Sequence, residues 1–530
     1  MFKFVNQHLK KQKYKFLIFI ILSYILNSIF LISPLITGKM FDILSTELSF
    51  SILSTYIKIF AFLQISSIII NYFLYKLNIY IQTKITFSIN CIVVQHFQNV
   101  ILNQINDLDT VYVNQRINHD SNNIAAFTIN AYTNIGIQAI IVILSTLYLL
   151  KTNNKIALFL ILIILFYILL YAIFKKKLYE MSLLFKEAQS KFFGTLNEQL
   201  ENIYFLQIHS MRRMFIEKLL KHFDTFFNKI IFSQRFFYFY QSLDSVITTI
   251  TQICIYLFGG LNVINGQITI GEFTIITSYF QYILSGVTYF SDLAKNYQDT
   301  LTSYNRLKEY IELPSLKNGE VYIPKIKSIT LQNLSFSRGD KKILDSIDYC
   351  FSVGNIYGIT GENGSGKSTL INLLLGLNPY EYSGEIFYND INIKNLDMNR
   401  IRLHNISVIE QFPYIFDGTV SENIFLGPEY DTNYIHDFFN LPSLKTLKMD
   451  QTIYKDGHTL SGGEKQKIAL LRLFAKNTEL LVLDEPTNFL DTSTVKFLKK
   501  YLISQKSNKI IIISSHNKEM KEIFDFILPL

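Results

Sequence analysis

The chain has 530 residues, a formal net charge of +8, and 49% hydrophobic residues against only 17% charged. Such a length holds more than one domain, and that balance, with a mean hydropathy of +0.23, places part of the chain in lipid. Three scattered cysteines (Cys91, Cys254 and Cys350), never in C-x-x-C, argue against a disulfide framework or a zinc site.

The lysines gather where apolar runs begin or end. Lys3, Lys10, Lys11, Lys13 and Lys15 precede the first run, and Lys175, Lys176 and Lys177 follow the fourth. The positive charge therefore reads as topology and contact with anionic lipid, with no nucleic-acid partner. Six runs, near 16–36, 52–75, 125–150, 156–174, 243–261 and 271–291, are each long enough, at about 1.5 Å per residue, to cross a ~30 Å hydrocarbon layer. The first is too long for a signal-peptide core and no small-residue cleavage site follows it. With the N-terminal lysines inside, six spans return the chain to the cytoplasm before residue 300. Lys151 and Lys155, in a short loop, oppose the charge rule without outweighing it.

Polar, helix-patterned stretches at 76–124 and 175–242 predict long helices projecting into the cytoplasm, with reversals at NQRINHD (Asn114 to Asp120) and ENIYFLQ (Glu201 to Gln207). Lys58, Asp244, Glu272 and Asp292 sit near predicted span ends, within snorkelling reach of the interface. No chain of carboxylates suggests an ion relay. The pathway is expected to be apolar and hydroxyl-rich, lined by Tyr, Ser, Thr and Asn, which suits an amphipathic or peptide-like substrate.

Residues 303–314 read as the amphipathic exit of the sixth span, and Pro314, Gly319 and Pro324 mark a linker. The expected organisation is a transmembrane domain at 1–314, a linker at 315–325 and a second domain at 326–530. In that second domain β-rich runs (Ile326 to Phe336, Asn355 to Thr360) alternate with helical ones, as in an α/β P-loop domain. Gly361 to Thr369 read GENGSGKST, which fits G-x-x-x-x-G-K-[ST], a loop whose backbone N–H groups wrap phosphates. Gly361, Glu362, Asn363, Gly364, Ser365, Gly366, Lys367, Ser368 and Thr369 are the candidate nucleotide-binding residues. Glycines let the backbone approach, Lys367 neutralises the β- and γ-phosphates, and the helix starting there presents its positive end. Ser368 and Asp484 are candidate Mg²⁺ ligands. Glu485, the next residue after Asp484, is placed to accept a proton from the attacking water.

LSGGE (Leu460 to Glu464) and LLVLDE (Leu480 to Glu485) follow the loop in that order. Together the three strings resemble the ATP-binding cassette (ABC) ATPases. SPLITGKMFD (Ser33 to Asp42) and GQITIGEF (Gly266 to Phe273) resemble segments of the exporters in this family, as do the two reversal segments, which in exporters dock on the ATPase domains. The resemblance implies ATP and Mg²⁺ as cofactors and further roles for matched residues. Gln411 would be the glutamine that reports nucleotide state and helps hold the metal. His516 would contact the γ-phosphate, and Asp491 would belong to the loop after the general base. Ser461, Gly462 and Gly463 would touch the γ-phosphate bound by the opposite subunit. That last role requires a dimer: a homodimer, or alternatively a heterodimer with another half-transporter. Three features depart from the pattern. Arg338 stands where an aromatic stacks on adenine, Glu464 where Gln is usual, and little chain follows His516. The implied function is ATP-driven export of a hydrophobic or peptide-like compound by a multi-pass protein of a bacterial inner or plasma membrane, with the ATPase domain cytoplasmic. No peptidase domain precedes the first run, so cleavage of a leader peptide is not expected. An importer with the exporter fold and an ATP-dependent sensor are the alternatives.

Overall fold

A computed structural model of the chain describes residues 1–47, 49–101, 104, 110–152, 154–338, 341–377, 382–426, 433–441, 444, 447–454 and 460–530. Two compact units result, Met1–Gln98 with Asp107–Leu313 and Asn99–Asn106 with Pro314–Leu530.

The helices of the first unit are α1 (Phe2–Leu9), α2 (Lys13–Asp42), α3 (Phe50–Phe97), α4 (Thr110–Thr152), α5 (Asn154–Glu201), α6 (Ile203–Ile208), α7 (Arg212–Ile264) and α8 (Ile270–Ile311). Lipid offers a peptide group no hydrogen-bonding partner, so an apolar run placed there closes its own backbone bonds as helix. Among the described residues, four stretches are long and apolar enough to cross a membrane: Phe2–Ser45, Phe50–Phe97, Arg116–Thr152 and Arg212–Ile264. The expected spans near 156–174 and 271–291 fall on α5 and α8, which are not among the four. Many side chains of 156–174 lie outside the described residues. α3 and α5 have 48 residues each and α7 has 53. At ~70–80 Å they are more than twice as long as a hydrocarbon layer is thick, so each continues well beyond it.

One expected reversal is corrected. Asn114 to Asp120 lie inside α4, which runs unbroken from Thr110 to Thr152. The asparagines that look like loop residues serve the helix instead: Asn118 Nδ2 donates to Asn114 Oδ1 at 2.7 Å and to the Asn114 carbonyl at 3.1 Å. Asn99 belongs with the second unit, where Leu316 N–H donates to its carbonyl at 2.6 Å. The second reversal, Glu201 to Gln207, coincides with α6.

Two segments far apart in sequence meet in this unit. Gly271 N–H donates to Asp42 Oδ1 at 2.9 Å. A Cβ on Gly271 would lie 2.2 Å from Gly38 O, and one on Gly38 would lie 2.4 Å from the Ile275 side chain. The two glycines let α2 and α8 approach closely, the way small residues act between membrane helices. Glu272, expected to snorkel, instead closes a capping box with Thr269 at the start of α8.

The strands of the second unit begin with β1 (Ser328–Arg338), β2 (Lys341–Ser352), β3 (Asn355–Thr360), β4 (Tyr382–Tyr388) and β5 (Ile391–Asn392). They continue with β6 (Ile406–Ile409), β7 (Gly418–Thr419), β8 (Thr452–Ile453), β9 (Leu480–Asp484), β10 (Ile510–Ser514) and β11 (Phe526–Pro529). An antiparallel sheet runs β2-β1-β4-β5 and a parallel sheet runs β11-β3-β10-β9-β6. Leu480 to Leu483 and all of β10 are buried, the continuous apolar pattern of strands covered on both faces. Ser514 pairs with Ile359 on one side and Asp484 on the other, so β3, β10 and β9 end level. Loops leaving that carboxyl edge are where open parallel sheets hold ligands.

Candidate active site

The phosphate-loop string joins β3 to the helix Lys367–Leu374. Gly364 (φ +85°) and Gly366 (φ +102°) occupy the left-handed region that a side chain would strain. Lys367 Nζ donates to the carbonyls of Gly361 and Glu362, both at 2.9 Å, which fixes its ammonium over the loop. Ser368 Oγ donates to Asp484 Oδ2 at 2.8 Å, tying the start of that helix to the end of β9.

These groups face a cleft of about 380 Å³. Its walls are Asn363, Gly364, Gly366, Lys367, Ser368 and Thr369 from the loop, Gln411 after β6, Asp484 and Glu485 at β9, His516 after β10, and Ile343 of β2. Level strand ends explain the convergence, because each loop leaves the sheet at the same edge. Gly361, Glu362 and Ser365 stand behind the wall, the first two holding Lys367 through their carbonyls.

Glu485 has φ +47°, uncommon for a residue with a side chain, and its N–H donates to Ser514 O at 2.9 Å. Its carboxylate is nearly buried, and Oε1 has no hydrogen-bond partner. His516 Nε2 stands 3.6 Å from that oxygen, longer than a hydrogen bond. A buried carboxylate oxygen left open at the edge of a polar cleft, on a strained backbone held by a neighbouring strand, suits a proton acceptor. Ser368 Oγ, Asp484 Oδ2 and the side-chain oxygen of Gln411 are the hard donors Mg²⁺ prefers, so the residues present fit that metal. The glycine loop with its lysine fits a triphosphate.

The remaining sequence-predicted residues are not in the cleft wall. Ser461 caps the helix Gly462–Ala475 in a capping box: its Oγ accepts from Glu464 N–H at 3.2 Å, and Glu464 Oε2 accepts from Ser461 N–H at 2.9 Å. This gives the unusual Glu464 a structural task. Gly462 and Gly463 lie under Phe489, whose carbonyl would be 2.8 Å from a Cβ on Gly463. Asp491 caps the helix Thr492–Gln505 and pairs with Lys467 at 3.1 Å. Burial opposes its ionisation, but hydrogen bonds from Ser493, Thr494 and Lys467 outweigh that and hold the carboxyl well below the usual range. Arg338 is exposed at the tip of the β1–β2 hairpin, paired in register with Lys341.

Two positioning residues escaped the sequence reading. Gln466 is fully buried and donates from Nε2 to Pro486 O at 3.3 Å, beside Glu485. Arg472 donates to Tyr414 O at 2.7 Å and to Asn423 O at 2.7 Å, tying the segment after Gln411 to the helix that Ser461 caps. A polar residue at a core position of an amphipathic helix was the available signal for both.

Residues 16–287 match the family model described as the ABC transporter transmembrane region, and residues 344–488 match the one described as ABC transporter. A probable ABC transporter ATP-binding/permease protein of Haemophilus influenzae is 34% identical over 273 residues, 49% of this chain and 48% of that relative, so this match spans about half the relative's length. The microcin-J25 export ATP-binding/permease protein McjD of Escherichia coli is 26% identical over 98% of this chain and 91% of its own length. The solved structure of a bacterial Atm1-family ABC exporter with ATP bound superposes with a TM-score of 0.85, covering 99% of this chain and 94% of that one. At 17% identity, that likeness speaks to fold alone.

Proposed function

The chain belongs to the ABC transporter family, an ATP-binding, multi-pass membrane protein, and from that premise we propose that it exports a hydrophobic or peptide-like compound by alternating access. The observation that carries the reading is the meeting of Lys367, Ser368, Gln411, Asp484, Glu485 and His516 in one cleft, in a chain whose other unit has membrane-length helices. In this reading the transmembrane domain is 1–314 with six spans, 315–325 is the linker and 326–530 is the ATPase domain. The N-terminal lysines favour a cytoplasmic ATPase domain in a bacterial inner or plasma membrane.

Lys367 and the glycine loop hold the triphosphate. Ser368, Asp484 and Gln411 would hold Mg²⁺, which would supply charge neutralisation at the phosphates. Glu485 takes the proton of the attacking water, and His516, at the mouth of the same cleft, orients the γ-phosphate. Ser461, Gly462 and Gly463 are absent from the cleft wall, which supports their use on nucleotide bound by a second copy, with Asp491 fixing the neighbouring loop. Hence a homodimer is proposed, with a heterodimer as its alternative. Arg338 stacks on adenine through its guanidinium plane.

The test is ATP-dependent uptake of fluorescently tagged hydrophobic peptides into inside-out vesicles carrying the chain. Accumulation that needs hydrolysable ATP supports export. Efflux from preloaded vesicles would favour the importer, and peptide-stimulated hydrolysis without movement would favour the sensor.

A further inference from the structure

The corner where α1 passes into α2 lies along α3 in an antiparallel sense. His8 Nδ1 of α1 is 2.8 Å from Ser88 Oγ of α3, and Lys15 Nζ of α2 is 3.6 Å from the centre of the Tyr80 ring of α3. Lys11 stands in the turn between α1 and α2, and Lys84 is one helical turn from both Tyr80 and Ser88. Both therefore fall at the level between the two contacts. Lys11, Lys15 and Lys84 are all exposed. No Asp or Glu occurs in residues 1–41 or 49–106, and none of the three lysines has an ion pair among the described residues.

Like charges gathered without counter-ions repel one another, so the cluster is costly until an anion answers it. Its depth identifies the anion. The apolar run of α2 begins at residue 16, directly after Lys15, and that of α3 ends at residue 75. Tyr80 stands five residues beyond that end, about 7 Å at the helical rise, inside the headgroup layer that adds ~5–8 Å to each face of a bilayer. Towards the hydrocarbon follow the exposed Leu17, Ile18 and Ile21 of α2 and Tyr75 of α3. A lipid phosphate at this depth meets ammonium donors, while its acyl chains lie on those apolar side chains. A soluble acidic protein or a nucleic acid would have to enter the headgroup layer to reach Lys15.

We propose that this corner of α1, α2 and α3 is a discrete site for an anionic phospholipid in the leaflet that the N-terminal lysines face. The site rests on the membrane placement of the apolar runs and holds whatever the chain transports and in either direction.

The chain contains no tryptophan, so Ile18→Trp, at an exposed position one turn into the apolar run of α2, installs a unique reporter within reach of acyl chains. The full chain carrying it is reconstituted in phosphatidylcholine vesicles with rising fractions of phosphatidylglycerol brominated on its acyl chains, and emission quenching is read. Quenching saturates at a low phosphatidylglycerol fraction, with an affinity about tenfold above that of brominated phosphatidylcholine. Lys11→Gln, Lys15→Gln and Lys84→Gln each weaken it about fivefold, the share of one lysine near an anionic surface. Lys15→Arg, which keeps the charge, stays within about twofold. Lys3→Gln, on the same side of the membrane but outside the corner, and Lys58→Gln, near the other end of the α3 run, change nothing. Millimolar inorganic phosphate does not relieve the quenching. A preference below about twofold, or a Lys3→Gln loss equal to that of Lys15→Gln, would leave only diffuse surface charge and overturn the site. Relief by phosphate would overturn the lipid in favour of a soluble anion.

Discussion

In the cleft proposed for nucleotide the groups assigned to phosphate are tied down by the protein itself: Lys367 to two carbonyls, Ser368 to Asp484, and Glu485 to β10 through its own N–H. In the open cleft of about 390 Å³ between α2, α3 and α4, the side chains of Asn71, Asn78 and Asn134 have no partner among the described residues, and Asn71 is exposed. One region is preorganised for a single chemistry, where small displacements cost rate. The other leaves its amides to water, so its side chains are not held in one geometry. The difference teaches where each kind of change will be felt.

The preorganised cleft should break most sharply. Lys367→Ala removes the cation above the loop and is expected to lower ATP hydrolysis by roughly two orders of magnitude, with weaker nucleotide binding. Phosphate release and nucleotide titration check both, and near-normal turnover would detach the lysine from the chemistry. Next in size is the close approach of α2 and α8. Gly271→Val puts carbon against the backbone of Gly38, which no rotamer relieves, and should cost about 1–3 kcal/mol. Thermal unfolding in nanodiscs reads this, and an unchanged midpoint would mean the helices separate freely.

A smaller effect tests the cap at Ser461. Ser461→Ala should cost about 1 kcal/mol through the lost helix cap. Glu464→Gln, which keeps both reciprocal hydrogen bonds, should stay within about 0.5 kcal/mol of the parent. Equal losses in the two variants would contradict the capping role of Glu464. A pH dependence gives a separate test. Burial pushes the Lys476 ammonium down to about 8 from 10.5, while its Nζ donates to the carbonyls of Arg402 and Ile406. The folded unit releases this proton at lower pH than the unfolded chain does. Stability should therefore rise between about pH 8 and 10.5, with the penalty fully present below that window. Lys476→Met should flatten the rise in unfolding midpoint, and an identical slope would assign it to other groups.

Which residues line the cleft was largely legible in the sequence because most of them belong to local strings. GENGSGKST, LLVLDE and His516 converge once the strands end level, and strand ends follow from apolar runs. Tertiary detail was not legible. The left-handed backbone of Glu485, the cover of Phe489 over Gly462 and Gly463, and the hold of Gln466 on Pro486 depend on neighbours distant in sequence. The membrane unit was read less well. Asn114 to Asp120 resembled a turn because asparagine favours turns, yet Asn118 satisfies its amide on its own helix. The cleft between α2, α3 and α4 could not be placed from sequence because its amides are scattered over three helices, and no periodicity of one helix reports what the others bring.

The most direct measurement is steady-state ATP hydrolysis by the purified chain, expressed alone in lipid nanodiscs, beside Glu485→Gln. The account predicts sustained turnover in the parent and a loss of at least ~100-fold in the variant, with ATP still bound. Turnover in the variant within about twofold of the parent would contradict Glu485 as the proton acceptor.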